Sequence, residues 1–180
     1  GIMIVVMLQY YHVLNKDMGY NPERIAVEYQ YCDNKETSQA VKNFYQGLPY
    51  VEAVTSAQDT SPLWGYSGEM MYDESGKSLF STKYDNMEEN FADIMSIGIK
   101  QGRVPRERQE AAVSETWLDM RGWSADEAIG KVIQTEEGRL RIVGIIKDFQ
   151  IGNFFDESQP FLMHFNPSFS GMIHLRLKEP

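Results

Sequence analysis

The chain has 180 residues and a formal net charge of −9, from 17 Lys+Arg against 26 Asp+Glu. With 42% hydrophobic and 12% aromatic residues it can bury one sizeable core or two smaller lobes, which excludes a disordered chain. The acidic balance argues against an autonomous nucleic-acid binder, and three His with a single Cys argue against a dedicated His/Cys metal cage or an internal disulfide.

The chain opens on an unbroken apolar run, Ile2 to Leu8, followed by Tyr10 and Tyr11. The run is too short to span a bilayer, which takes about 20 apolar residues, and it lacks the charged region and cleavage site of a secretory signal. Two readings stay open: a buried terminal element, or the outer end of a membrane helix with interfacial tyrosines. Ile25, Val27, Tyr29 and Tyr31 then alternate with polar or small residues, which predicts a half-buried strand. Asp33 and Glu36 have the spacing of a helix N-cap, and Ala40, Val41, Phe44, Tyr45 and Leu48 share one helical face, stopped by Gly47 and Pro49. Val51 to Ala57 reads as a strand, so residues 25–57 form a β-α-β unit.

Residues 61–76 turn to Pro, Gly, Ser and aromatics, and strands are expected near 68–73 and 78–84 around the turn Asp73–Gly76. Met87, Phe91, Ile94 and Met95 predict a helix ended by Gly98, and residues 102–110 read as an exposed loop. Ala111–Val113 is a short strand. Ser114 is placed to cap a helix carrying Trp117 and Leu118 and ended by Gly122, and Ser124 to Glu127 is a capping box. Gly130 should end that turn with positive φ. Lys131–Thr135 and Arg139–Lys147 form a hairpin, in which Gly144 interrupts a β-branched run and predicts a bulge or a close backbone approach. Met172–Leu177 is the last strand, with Ile173, Leu175 and Leu177 inward and His174 on the outer face.

No catalytic constellation emerges. Gly65-Tyr66-Ser67-Gly68-Glu69 carries glutamate where a nucleophile elbow needs glycine, and reads as a turn. His12, His164 and His174 lie at no metal-ligand spacing, and no phosphate-binding glycine loop is present. Asp148 follows the apolar strand Ile142–Ile146, a position that serves catalysis in some folds. With no acid–base partner at a readable spacing, a backbone-capping role is the better account. Cys32 is read as a small hydrophobe at a strand end. No catalytic, cofactor-binding or metal residue is assigned.

Several blocks nevertheless stand in a recognisable order. Residues 86–103, ending in Gly102-Arg103, resemble the helix-to-Gly-Arg stretch of MacB/FtsX-like ABC transporter permeases. Val113-Ser114-Glu115, Gly122-Trp123 and Ile129-Gly130-Lys131 resemble that family's following motifs, with Ser114 and Ala128 departing from the usual asparagine and proline. The strand through Gly144 to Asp148-Phe149, and then Pro160, is also similar. Asn15 to Asn21 resembles the segment just outside the first membrane helix, particularly in Bacteroidetes-type members.

The resemblance implies an α+β extracytoplasmic core domain: a porter-like β-α-β lobe with an inserted second mixed α/β lobe. In this sequence that places the end of a membrane-proximal helix at 1–17 and a first porter-like unit at 18–60. The inserted lobe with hairpin 131–147 falls at 61–165, and the start of a second, truncated porter-like unit at 166–180. It implies structural roles for Gly102, Arg103, Glu115, Gly130, Gly144, Asp148, Phe149 and Pro160. It further implies no catalysis and no cofactor, a periplasmic domain of an inner-membrane permease, a cognate ABC ATPase reached through the membrane helices, and a dimer of permeases. The last strand should then lack a covering helix of its own. Two other readings compete: a soluble periplasmic adaptor or solute-binding protein, and a hydrolase built around Asp148 or Ser67.

Overall fold

The structure, a computed structural model, describes residues 17–28, 34–58, 67–136, 138–151, 157–166 and 171–180. The readings on the apolar N-terminal run, on Cys32 and Asp33, and on Gly65-Tyr66 lie outside these residues. The fold is α+β. It runs β1 (Ile25–Glu28), α1 (Lys35–Gln46), β2 (Val51–Ala57), β3 (Ser67–Tyr72), β4 (Ser78–Asn86), α2 (Phe91–Ile94) and β5 (Ile99–Gly102). There follow β6 (Glu110–Ser114), α3 (Glu115–Arg121), α4 (Ala125–Ala128), β7 (Val132–Thr135), β8 (Gly138–Ile146), β9 (Phe161–His164) and β10 (Met172–Leu177).

Two sheets organise these elements. The smaller has the order β1-β10-β2, with the last strand antiparallel to both neighbours. The larger has the order β5-β8-β6-β9-β4-β3-β7. Because β7 also pairs with β8, the strands β8-β6-β9-β4-β3-β7 close into a ring, sealed between β3 and β7 by the single pair Tyr72↔Gln134. β7 and β5 share one edge of β8, at 138–141 and 144–146 respectively.

Helix α1 begins at Asn34, whose side chain accepts a hydrogen bond from the Thr37 amide, so the cap sits one residue later than Asp33. The stripe α1 turns to the small sheet is Ser38, Val41, Tyr45 and Leu48, spaced three, four and three apart. Ala40 and Phe44 fall beside that stripe, and Phe44 is 66% exposed. A three-stranded sheet is too narrow to bury a wider helix face. The same helix covers the apolar side of β10: Ile173 and Leu175 are buried in one cluster with Val51 and Val54, against which Val41, Tyr45 and Leu48 pack. The expectation that this strand lacks cover is therefore corrected. Threading β10 between β1 and β2 brings it under the helix that those strands already own.

His174 is corrected too. Its side of β10 faces away from α1 but is fully buried, ring-edge against Phe91 at 5.2 Å. Helix α2 is only four residues long, because the backbone just before it is already committed. Met87 bridges to Ala57, and the Glu88 amide donates to the Ser56 carbonyl. Residues 99–102, just after Gly98, pair with β8 as β5, and the loop that follows is pinned rather than free.

Burial holds the His174 imidazole well below its ordinary range, at about 4, and its Nε2 has no partner among the described residues. A base with a depressed folded pKa contributes stability that is complete above its unfolded pKa, about 6.5, and is lost as pH falls toward 4. Lowering pH from 6.5 to 4.5 should cost about 2–3 kcal/mol, and His174→Phe should flatten that slope. Denaturant unfolding across this interval checks it; equal slopes for the two proteins would refute the assignment.

Candidate functional site

The residues named by the motifs form two knots on β8. Gly102 ends β5 at φ +71, where a Cβ would lie 2.2 Å from the Val143 carbonyl. The next amide, that of Arg103, donates to that carbonyl at 3.1 Å. The Arg103 carbonyl in turn lies where a Cβ on Gly144 would sit, at 1.9 Å. The backbones cross in contact, and a β-bulge opposite Ala111/Ala112 marks the same place. The Arg103 guanidinium grips Glu110 through both nitrogens, Nη1 to Oε2 at 2.8 Å and Nη2 to Oε1. The Arg106 and Glu107 amides donate to the same carboxylate. Chiefly the Arg103 bond, working against partial burial, draws the Glu110 pKa down to about 2.

The second knot is at the start of α3, where the Ser114 hydroxyl accepts from the Trp117 and Phe161 amides. Asp148 reaches in from the end of β8: Oδ1 accepts from the Thr116 amide at 2.9 Å and Oδ2 from the Thr116 hydroxyl at 2.7 Å. Glu115 accepts from Lys100 Nζ at 2.7 Å and from the Asp148 amide at 3.4 Å. Asp148 is thus engaged by the N-terminus of α3, an arrangement that holds backbone. Phe149 is buried ring-edge against Phe161 at 5.0 Å. The Pro160 carbonyl accepts from the Lys83 amide at 2.9 Å. Gly130, at φ +87, donates its amide to the Ile142 carbonyl at 2.8 Å.

Sequence reasoning missed the pair Glu69–His164. Both are buried, with Nε2 3.1 Å from Oε2 and the Glu136 amide donating to Oε1 at 3.0 Å. The residues stand 95 positions apart, so no local spacing announces them. The same pair removes the elbow reading, since Glu69 is an inward residue of β3 and Ser67 stands opposite Tyr84 in the β3–β4 ladder. Among the described residues no group of three His, Cys, Asp or Glu is arranged to hold a metal ion.

The second knot connects to the seam between the two sheets. The Asp148 carbonyl and Phe149 lie against Gly19, where a Cβ would approach that carbonyl to 2.4 Å, and the Gln150 amide donates to the Met18 carbonyl at 2.7 Å. Arg176, on the central strand of the small sheet, is only 6% exposed. Its guanidinium donates to the carbonyls of Glu23, Asn21 and Ile94. One side chain thereby ties the segment entering β1, the strand β10 and the helix α2. At the β2 edge of the small sheet, Thr55 bonds Asn90 at 2.7 Å, the Asn90 amide group reaches the Val54 carbonyl, and Lys42 pairs with Glu88. Tyr20, Met87, Phe91, Met95, Ile146, Phe149 and Phe161 fill the seam. The junction is thus bonded along its backbone and packed throughout.

No protein-family model and no curated protein matches the chain. Among solved structures, the periplasmic region of MacB from Actinobacillus actinomycetemcomitans aligns with TM-score 0.61 at 14% identity, covering 93% of this chain and 80% of that one. The extracellular domain of YknZ, described as a noncanonic ABC-type transporter from Gram-positive bacteria, aligns with TM-score 0.59 at 10% identity, over 86% and 83% of the two chains. A domain assigned to a permease protein from Porphyromonas gingivalis aligns with TM-score 0.60 at 17% identity, over 87% and 76%. The chain has the fold of these domains, and no helix among its described residues is long and apolar enough to cross a membrane.

Proposed function

We propose that this chain is a non-catalytic extracytoplasmic domain of a MacB/FtsX-like ABC transporter permease, which couples ATP hydrolysis by a cytoplasmic subunit or domain to work outside the membrane. The observation that carries the reading, beside the shared fold, is topological. The chain enters the small sheet at Ile25 and leaves it at Leu177, and the register Ile25↔Arg176 sets entry and exit side by side at one end of adjacent antiparallel strands. A domain carried between two membrane helices needs that geometry, because both helices then meet the same end of one rigid sheet. On this reading 1–17 approaches the membrane, 18–60 and 166–180 belong to porter-like units, and 61–165 is the inserted lobe. The eight motif residues brace the inserted lobe, and Asp148 and Phe149 among them also meet Gly19 of the first unit. The permease acts as a dimer in the inner membrane, with this domain in the periplasm.

The test uses the whole native reading frame, co-expressed with its ATPase and reconstituted in lipid. Spin labels at Phe44 and Met120, both exposed and on different lobes, report the distance between lobes and between subunits. ATP trapping should shift the inter-subunit distances while leaving the distance within one domain unchanged. Inter-subunit distances that ignore nucleotide would overturn the coupling role. The isolated chain should show only background turnover of ATP, ester and peptide substrates. Turnover abolished by Asp148→Asn would favour the hydrolase reading instead.

A further inference from the structure

The sealing point of the ring lies beside an open groove of about 910 Å³, remote from the sheet junction. Its walls are the β3–β4 turn, the C-terminal end of α3 and strand β7. Three features distinguish it. First, it gathers Arg121, Lys131 and Arg139 in a molecule whose net charge is −9, and none of the three has a carboxylate within 4 Å among the described residues. Two acidic residues share the lining: Asp73, whose Oδ1 accepts from the Ser75 and Lys77 amides and the Ser75 hydroxyl, and Glu74; nearby, Glu127 is engaged by the Ser124 amide and hydroxyl and also interacts with Lys131. Second, Arg121 and Lys131 lie over the Trp123 ring at 4.1 and 4.3 Å from its centroid, and Trp117, behind it in the groove lining, is fully buried with an indole N–H that finds no acceptor among the described residues.

The third feature is a strand edge. β7 pairs with β8 throughout but with β3 only at Tyr72↔Gln134. The Lys131 carbonyl accepts from the Ile142 amide, so in the alternating antiparallel pattern Val132 directs its backbone N–H and C=O away from β8. Val132 is 41% exposed, and its side chain and that of Leu79 form an apolar rim.

We propose that this groove docks an extended acidic segment of a partner protein, which adds as a strand to β7 at Val132 and sets its carboxylates on Arg121, Lys131 and Arg139. Unpaired cations select negative side chains, and an open edge selects an extended backbone. A small anion would satisfy the first requirement only. The inference goes beyond the permease reading and does not rest on it.

The experiment titrates the chain with a short peptide of alternating glutamate and valine, read by tryptophan fluorescence and calorimetry. Controls are the same peptide with lysine for glutamate, one with N-methylated backbone amides, and vesicles of anionic lipid. The acidic peptide should bind, bind more weakly as salt rises, and lose about tenfold in affinity in the combined variant Arg121→Gln, Lys131→Gln, Arg139→Gln, whose changes are all at surface positions. The lysine and N-methylated peptides should not compete. Absence of binding up to about 1 mM, equal affinity for the combined variant, or equal binding of either control peptide would overturn the proposal. Binding to the vesicles but not to the peptide would overturn it in favour of a membrane surface.

Discussion

Gly144→Val should destabilise the domain by about 3 kcal/mol and lower its melting temperature by roughly 6–12 °C. The first added carbon would sit 1.9 Å from the Arg103 carbonyl oxygen, and that neighbour is backbone, which cannot rotate away. Relief requires β5 to lift from β8. That breaks the Arg103-to-Val143 amide bond and loosens the bidentate hold on Glu110, so the cost is a clash plus the lost bonds. Arg139→Ala, on the same strand but exposed, should change stability by no more than about 0.5 kcal/mol. Thermal unfolding of the two variants decides the matter, and equal midpoints would show that the crossing is not rigid. The motif stretch Gly102-Arg103 and the distant Gly144 would then have no physical reason to occur together.

A second large effect is expected at Arg176→Leu. The residue is almost fully buried, and its guanidinium is the donor to three main-chain carbonyls from two separate segments. Leucine fills part of the volume and supplies no donor. Each carbonyl left without one costs about 1–3 kcal/mol, so a loss of about 3–5 kcal/mol is expected after partial rescue by water. Arg176→Lys should recover less than half, because one ammonium cannot reach three carbonyls set in different directions. The loss should be local before it is global. Hydrogen exchange at the Asn21 amide, which donates to Met95, should accelerate in Arg176→Leu well beyond that in the ring strands β6 and β8. Uniform acceleration across both sheets would mean that Arg176 supports the whole core rather than the seam. Full exchange protection at Asn21 would mean that the seam does not need it.

What the sequence by itself determined about this protein is what depends on neighbours within a few positions. Ser114 and Gly122 bound α3 as their spacing indicates, with Gly122 in the left-handed region at φ 75. Ser124 and Glu127 form both halves of the capping box. The strand Val51–Ala57 and the hairpin 132–146 stand where alternation and turn residues put them. A cap or a tight turn is satisfied by atoms of its own segment, so its chemistry is written locally. The positive φ of Gly130 and the crowding at Gly144 were legible for the same reason, as departures from what a strand or helix tolerates.

The tertiary structure decided what needs partners far along the chain. Strand β9 carried no alternation to read, because Phe161 and Met163 enter one core and Leu162 the other, and both cores are apolar. The outward parity of His174 was right as parity, but the face it points to is covered by α2, and burial instead of solvent sets its charge. Phe44 fits the helical apolar stripe and is left exposed by the narrowness of the sheet beneath it. Glu69 meets His164 across 95 residues, and Arg176 meets Asn21 across 155. A buried charge or polar group is tolerated only where donors and acceptors converge on it, and that convergence is a property of the folded chain.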